Sequence, residues 1–248
     1  MLQQLFKHLK DSKKHYFIFL FLIFASSIFK ISCFRDDQIL LFEAPKIPFV
    51  IENLGVRFGP WDRNTNRAGD FLFPNIANVT KIIGEFGQAV LDPDFNVKYL
   101  PTLDFIIRVE APIIAIAEGE VSRHYFQEGS ADYEIGIRSL NDPNYEVGYD
   151  HLVNIQVEMG QTITPGDTIG YPRPLFSGLG SFEIMVNNAE TGLSYCPFCC
   201  FNPDKTEEYQ NKLLQLIADW ETFKGDTTIY DESAFVLPGC LMESMVSY

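Results

Sequence analysis

The stretch from Ala111 to Val121 reads APIIAIAEGEV, and short segments of similar composition follow it. They are YDHL at 149–152, VEMG at 157–160, ITPG at 163–166 and IG at 169–170. Glycine permits a positive φ at tight turns, and the Val and Ile residues between the glycines place apolar side chains inward from short strands. Stacked strand-turn modules of this kind predict a mainly β, barrel-sandwich fold.

The surrounding sequence continues the β pattern from about residue 97 to residue 190. The segment Asn141–Asn144 reads NDPN, which is typical of a turn, so we expect Tyr133–Ser139 and Tyr145–Tyr149 to pair as a hairpin. Strands do not alternate with helices here, which argues against a doubly wound nucleotide-binding fold.

The composition restricts the class of partner. The chain has 248 residues, 46% of them hydrophobic, which is enough for one sizeable core. Its 19 basic residues stand against 33 acidic ones, for a formal charge of −14. Phosphate recognition requires clustered Lys and Arg, so we expect no nucleic-acid partner.

The N-terminus has the pattern of an export signal. Residues 1–15 are basic, and residues 16–29 form an apolar or small stretch that as a helix rises only about 21 Å, less than the hydrocarbon core of a membrane. We interpret residues 1–32 as a signal peptide or an N-terminal membrane anchor and expect an exported protein that is periplasmic, secreted or anchored. We expect membrane contact only through this segment. Cys33 follows Ile31 and Ser32 as in a weak lipidation motif, although Lys30 stands where that motif usually has Leu.

The remaining cysteines, Cys196, Cys199, Cys200 and Cys240, are disulfide candidates because export allows thiols to pair. Four cysteines allow three pairings, and the sequence does not choose between them. A zinc knuckle is the alternative, but no histidine follows His151 to complete a common ligand set.

The chain divides into four parts: residues 1–32, an irregular β-rich lead-in at 33–96, the β domain at 97–190, and a helical extension with cysteines at 191–248. A helix is predicted in this extension, because Asn202 and Pro203 are typical of its start and Gly225 of its end. Apolar residues recur between them at steps of three and four: Tyr209, Leu213, Leu216, Ile217, Trp220 and Phe223. We interpret this stripe as a packing face, with the helix as a lid on the sheet.

The order of motifs in residues 97–190 resembles the lysostaphin-like zinc metallopeptidases, which cut peptide cross-links in bacterial cell walls. The features that carry the resemblance are the Glu-Gly-Glu-Val strand ending at Val121, the Tyr-Asp-His-Leu motif at His151, the spaced glycines after it and the Phe182-Glu183 pair. It implies the duplicated hybrid motif of that family, a barrel-sandwich hybrid, here with one C-terminal α-helix. Biotinyl carriers share this topology, but they need a lysine, and none lies between Lys98 and Lys205.

The resemblance also implies site residues, most of which are missing. The family binds zinc through a His-x-x-x-Asp motif and the second histidine of a His-x-His pair, whose first histidine assists the transition state. These motifs fall on Leu100–Asp104, which keeps only Asp104, and on Leu179–Ser181, which keeps neither histidine. The catalytic His of the Tyr-x-His-Leu motif is present as His151. Asp104 is thus a remnant metal ligand, and His151 a remnant catalytic residue. Catalytic zinc usually needs three protein ligands, so we expect no cofactor.

The leading hypothesis is a catalytically degenerate peptidase domain that binds or regulates in the cell envelope. Its partner would be an envelope protein or a peptidoglycan peptide. Two alternatives stay open: an active zinc endopeptidase with unusual ligands, such as Asp104, His151 and a carboxylate, and a structural surface protein that uses the fold as a scaffold.

Overall fold

The computed structural model describes residues 50–92 and 94–246, all within the compact unit Ile47–Tyr248. The predicted signal segment, Cys33 and its lipidation lie outside the described residues. Among the described residues, no helix is both long and apolar enough to cross a membrane.

The regular structure of the described residues is mainly β, as predicted. The strands are β1 (Trp61–Asp62), β2 (Arg67–Ala68), β3 (Phe71–Leu72), β4 (Ile83–Gly84), β5 (Ala89–Leu91), β6 (Val97–Tyr99), β7 (Leu103–Arg108), β8 (Ile113–Ile114), β9 (Gly119–Gln127), β10 (Asp132–Arg138), β11 (Tyr145–Val153), β12 (Thr162–Ile163), β13 (Thr168–Pro174), β14 (Leu179–Asn188), β15 (Leu193–Tyr195) and β16 (Ser244–Val246). One α-helix, α1, spans Pro203–Lys224. Between residues 97 and 190 every regular element described is a strand.

The large sheet has the strand order β12-β9-β10-β11-β13-β14-β15-β16. Strand β14 also pairs with β11 and β7, β7 with β4, and β13 with β8. Strands β1–β3 form a separate small sheet, and β5 and β6 form a two-stranded hairpin. The sheets do not close into a barrel.

The predicted hairpin is confirmed: β10 and β11 pair antiparallel, with Ile135 opposite Tyr149 and Arg138 opposite Glu146. Side chains alternate across this sheet. One face is packed into the core, where the rings of Phe105 and Phe182 stack with centroids 5.4 Å apart. The other face carries polar side chains, and we refer to the surface along it as the groove.

A buried hydrogen bond and a close backbone approach help to hold the 111–121 stretch in place. The hydroxyl of Tyr149, which is fully buried, accepts a hydrogen bond of 2.8 Å from the backbone N–H of Ile116. Gly119 was expected to supply a positive φ, but it serves close packing, because a Cβ there would lie 2.4 Å from the carbonyl oxygen of Arg138. Gly160 and Gly166 do adopt the predicted left-handed conformation, with φ of 76° and 97°.

Helix α1 begins and ends at the predicted residues. The side chain of Asn202 accepts a hydrogen bond from the N–H of Asp204, and Gly225 ends the helix with φ of 69°. The predicted packing face is confirmed, since Leu213, Leu216, Ile217 and Trp220 are buried. The described ring contacts of α1 reach the lead-in at Phe58, Trp61 and Phe73, and the preceding tail segment at Phe201, rather than the polar face of the large sheet.

Only two of the four disulfide candidates pair. Cys196 and Cys240 form a disulfide with a Cα–Cα distance of 6.1 Å, whereas Cys199 and Cys200 are free. Adjacent residues have Cα atoms about 3.8 Å apart, less than the ~4.4 Å minimum of ordinary disulfides, so these two cannot readily pair with each other. The expectation that all four cysteines brace the tail is therefore wrong for Cys199 and Cys200.

The start of the described chain is joined to the same region. The N–H of Ile51 donates to the carbonyl of Cys200 at 2.9 Å, and the N–H of Asn202 donates to the carbonyl of Ile51 at 2.8 Å. The entering chain therefore lies parallel to the segment that leads from the disulfide into α1.

Candidate functional site

A row of acidic residues crosses three strands on the polar face. Asp104 on β7 is opposite Glu183 on β14, and Glu183 is opposite Asp150 on β11. Residues directly opposite each other in antiparallel strands point to the same side of the sheet. The three carboxyl groups therefore line one transverse row, which we call the acidic row.

His151 joins this row because the backbone of β11 is irregular there. Its φ is 62°, in the left-handed region that residues other than glycine rarely adopt. At this point β11 stops pairing with β14 and pairs with β13, with Leu152 opposite Pro172. The carboxylate of Asp150 accepts a 2.6 Å hydrogen bond from the N–H of His151. A left-handed backbone conformation costs a non-glycine residue on the order of 1–3 kcal/mol. Because the surrounding structure must offset this cost, such residues are often found at functional positions.

Both ring nitrogens of His151 lie next to carboxylates. Nδ1 is 2.8 Å from Oδ2 of Asp132, a fully buried residue, and Nε2 is 3.5 Å from Oε1 of Glu183. The same Oδ2 of Asp132 is 3.3 Å from a guanidinium nitrogen of Arg173. Ser130 donates to the other oxygen of Asp132 at 2.5 Å. Asp132 is thus held between two cationic groups.

These neighbours fix the charge of His151. Glu183 raises the pKa most, burial opposes it, and Asp132 and Asp150 raise it further, so that the pKa is about 9. At neutral pH the ring is therefore an imidazolium that carries a proton on both nitrogens. An imidazolium has no lone pair for a metal and cannot accept a proton as a general base.

Asp104 is the most perturbed carboxyl group of the row. Burial raises its pKa to about 7, and the nearby charge of Glu183 contributes to the rise. Its Oδ1 is buried without a hydrogen-bond partner. Across the strand pair stands Gly84, where a Cβ would lie 2.8 Å from Oδ2 of Asp104. Glycine at position 84 therefore gives this carboxyl group its space.

The other positions at which the resemblance implies histidines carry no nitrogen donors. Leu100 ends the β5–β6 hairpin, where its N–H donates to the carbonyl of Gln88. Leu179 is buried, and Ser181 is partly buried. Ser181 is opposite Arg173 in the sheet, so a fixed cation projects beside this position. Two positions thus offer alkyl groups, and the third a hydroxyl next to a guanidinium.

The donor set does not fit a catalytic zinc ion. Zinc is bound by deprotonated His, Cys or carboxylate groups, usually three in a catalytic site. Of the implied ligands only Asp104 is present, and its raised pKa disfavours the carboxylate that metal binding needs. Asp132, Asp150 and His151 do bring one ligand atom each within 4.8 Å of one another. Arg173 already neutralises Asp132 there, which disfavours a second cation.

Sequence reasoning identified Asp104 and His151, and the structure places them on either side of Glu183. It did not identify Asp132, Arg173 or Glu183 as partners of the histidine. Glu183 was visible as part of the Phe-Glu pair, but nothing in the sequence indicates that Asp132 and Arg173 approach His151.

His124, the only other histidine among the described residues, lies apart from the acidic row on an exposed part of β9. Its ring packs against that of Tyr133, with centroids 5.2 Å apart.

Comparison with known proteins matches one segment to a family. Residues 99–174 match the model of the family described as Peptidase family M23. The match ends at Pro174, before the segment Leu179–Glu183. No curated protein sequence is significantly similar to this chain.

Solved structures of low similarity include members of the lysostaphin group. The catalytic domain of lysostaphin from Staphylococcus simulans matches with 19% identity over 50% of this chain and 89% of that chain, with a TM-score of 0.36. The solution structure of lysostaphin matches with 18% identity over 44% of this chain and 45% of its own length, with a TM-score of 0.34. A zinc containing peptidase from Vibrio cholerae matches with 17% identity over 55% and 38% of the two chains, with a TM-score of 0.36.

Proposed function

We propose that this chain, in which residues 99–174 form an M23 peptidase-family domain, is an exported cell-envelope protein whose domain binds peptide or a partner protein without cleaving it. The observation that carries the proposal is the ion-pair chain Arg173–Asp132–His151–Glu183. It places two cations, Arg173 and His151, in ion pairs with carboxylates in the part of the sheet where the resemblance implies a metal ion.

Peptide hydrolysis in this family needs an activated water molecule. A metal ion supplies this by lowering the pKa of bound water toward ~7, and a side-chain base accepts the proton. Here Leu100 and Ser181 cannot provide imidazole ligands, Leu179 cannot provide the assisting imidazole, and His151 is held protonated up to about pH 9. Neither the metal-activated water molecule nor the side-chain base that attack on a peptide bond requires is then available.

Binding has fewer requirements, and the groove meets them. The polar face carries carboxylates and arginines that ion pairs hold in place. The partner on this proposal is a peptidoglycan peptide or another envelope protein, with no nucleic acid, and the membrane is touched only through the N-terminus. Export is supported by the N-terminal sequence and by the Cys196–Cys240 disulfide, since such bonds persist in oxidising compartments.

A second candidate is a zinc peptidase with unusual ligands. The unpartnered Oδ1 of Asp104 favours it, because a buried oxygen without a hydrogen bond is often satisfied by an ion. Asp104, Glu183 and Nε2 of His151 would then be the ligands. Such a site requires that His151 lose its proton and exchange the Glu183 contact for the metal.

The test is zinc content and hydrolysis by the purified full-length protein. We expect sub-stoichiometric zinc after purification in limiting metal, and no peptide release from purified cell wall with added zinc. Binding should be retained: the protein should sediment with the wall or capture one envelope protein, and His151→Ala should not convert binding into cleavage. If the protein neither cleaves nor binds, the scaffold alternative is the better account.

Hydrolysis that depends on zinc and disappears in His151→Ala would overturn the proposal in favour of the enzyme. The matched control is His124→Ala, which removes the exposed histidine outside the acidic row.

A further inference from the structure

The β5–β6 hairpin has one side that is entirely apolar. Ala89 is opposite Tyr99 and Leu91 is opposite Val97, so these four side chains lie on the same side of the hairpin. All four residues are exposed, and the relative exposures of Leu91 and Val97 are 63% and 60%. Phe95, in the turn, is 83% exposed. We call these five residues the hairpin face.

The hairpin face contains no charged residue. Lys98, which lies between Val97 and Tyr99 on β6, is opposite Val90 and points to the reverse side of the hairpin. The hairpin face exposes on the order of 400 Å² of apolar area, a size at which a contiguous patch on a soluble protein is often functional. The described fold therefore leaves an uncharged apolar surface uncovered at this hairpin.

The turn of the hairpin is fixed by its own hydrogen bonds. The carboxylate of Asp92 accepts hydrogen bonds from the N–H groups of Asp94 and Asn96 at 2.9 and 2.8 Å, and from the side-chain amide of Asn96 at 3.2 Å. Phe95 has a φ of 64°, a left-handed conformation that costs free energy in a non-glycine residue. Phe95 is thus held exposed, and little conformational entropy remains to be lost when the hairpin face is covered.

We propose that the hairpin face is a homodimer interface, on which a second copy of this chain packs face to face. Covering the face is favourable because it removes apolar area from water. The face offers no ion pair to a charged partner. Two identical faces, in contrast, bring no like charges together, although each chain carries a formal charge of −14.

The spacing of the residues makes the hairpin face complementary to itself. Phe95 precedes Val97 by two residues and Tyr99 follows it by two, which corresponds to about 7 Å in each direction along an extended strand. A two-fold axis through the Leu91–Val97 row therefore places the turn of one copy over the row of Ala89 and Tyr99 in the other. Ala89 has the smallest side chain of the face and so leaves room for the ring of Phe95 from the second copy.

The contact area sets the strength of this association. Two hairpin faces bury on the order of 800 Å² in total, less than the ~1,200 Å² at which stable interfaces begin. The negative charge of the two chains also opposes association, and salt screens this repulsion. We therefore expect a weak, reversible dimer that salt strengthens.

The first experiment is disulfide cross-linking of the full-length protein with one added cysteine on the hairpin, using copper phenanthroline as the oxidant. Val97→Cys places a thiol on the hairpin face near the two-fold axis, whereas Lys98→Cys places one on the reverse side. Because a disulfide requires Cβ atoms about 4 Å apart, covalent dimers should form about tenfold faster with Val97→Cys than with Lys98→Cys. The unmodified protein, with its free Cys199 and Cys200, gives the background from native thiols.

Sedimentation equilibrium then measures the association without an added cysteine. We expect the apparent mass to increase with protein concentration and, at constant protein concentration, with salt. Leu91→Ser should weaken the dimer about tenfold or more, because an apolar side chain is lost from the centre of the interface in both copies. Leu140→Ser, which removes an exposed leucine outside the hairpin, should leave the association unchanged.

Three results would overturn the inference. These are a monomer at every concentration, equal cross-linking of Val97→Cys and Lys98→Cys, and association that Leu91→Ser does not weaken. Slow reaction of Val97→Cys with a water-soluble maleimide even in dilute protein would also overturn it, because the chain itself would then cover the face. Protection that appears only with phosphatidylcholine vesicles would assign the face to lipid instead. The proposed non-cleaving function is independent of all these results, since it rests on the ion pairs of His151.

Discussion

Arg173 and Ser181 are opposite each other across β13 and β14, so a guanidinium lies beside the position where the resemblance to zinc peptidases implies a histidine ligand. The cations at this end of the groove, Arg173 and His151, therefore belong to the chain and are already paired with carboxylates. A restored metal site would have to accommodate this cation as well as regain its ligands.

Restoring histidines tests this view. The Leu100→His, Ser181→His double variant should bind zinc together with Asp104, because three ligands are then present. Hydrolysis should require Leu179→His as well, since the imidazole expected to assist the transition state would still be missing. Adding Arg173→Gln should tighten zinc binding by removing the repulsion. Zinc is measured by equilibrium dialysis and turnover by peptide release from cell wall.

The control for this series places two histidines elsewhere, in Leu140→His, Leu214→His, both at exposed positions. Zinc binding equal to that of the Leu100, Ser181 variant would show that the groove is not the site. Turnover by the double variant alone would contradict the role given to position 179.

The protonation of His151 predicts a pH dependence of stability. Its pKa is about 9 in the folded protein and about 6.5 when unfolded, so its stabilising effect is full below about pH 6.5 and is lost as the pH rises through 9. The free energy of unfolding should therefore decrease over this range. Urea denaturation at a series of pH values measures it, and His151→Gln should flatten the curve between pH 6.5 and 9. An NMR titration midpoint for His151 near 6.5 would refute the assigned contacts.

The disulfide predicts a loss of stability on reduction. Cys196 and Cys240 are 44 residues apart, and closing a loop of this size stabilises the fold by roughly 4 kcal/mol in the chain-entropy model. Cys240→Ser should therefore lower the free energy of unfolding by about that amount. Cys199→Ser is the control and should have a small effect. Peptide mapping without reductant should find Cys196 linked to Cys240; a link that contains Cys199 or Cys200 would contradict the structure.

The hydroxyl of Tyr149 predicts a smaller effect. Tyr149→Phe leaves the buried N–H of Ile116 without its acceptor, which costs about 1–3 kcal/mol. Tyr99→Phe, on the exposed hairpin, should be close to neutral. Denaturation curves measure the free energy of unfolding of both variants. Equal values for Tyr149→Phe and Tyr99→Phe would show that the hydrogen bond of Tyr149 does not stabilise the 111–121 stretch.

Local signals in the sequence predicted much of the fold. The turn at Asn141–Asn144 specified the β10–β11 hairpin, and Asn202 with Gly225 marked both ends of α1, because turns and caps depend on a few neighbouring residues. The pairing of Cys196 with Cys240 could not be predicted, since it depends on distances between remote segments.

The partners of His151 could not be predicted from the sequence, because they too come from remote segments. Asp104 and His151 were found through motif spacing, but the protonated state of His151 comes from Asp132 and Glu183, which lie on other strands. The left-handed backbone of His151 is set by the change of strand partner there. Nothing in the motif Tyr149–Leu152 alone indicates this change.

The contact between Ile51 and the segment Cys200–Asn202 has a mechanical consequence. If the protein is held by its N-terminal side, tension enters the described fold at Ile51 and passes first into its hydrogen bonds with Cys200 and Asn202. The neighbouring Cys196–Cys240 bond limits how far this region can extend. Load on the tether would therefore be shared between the tail and the 111–121 stretch, to which Glu52 is hydrogen-bonded, before it reached the strands of the polar face.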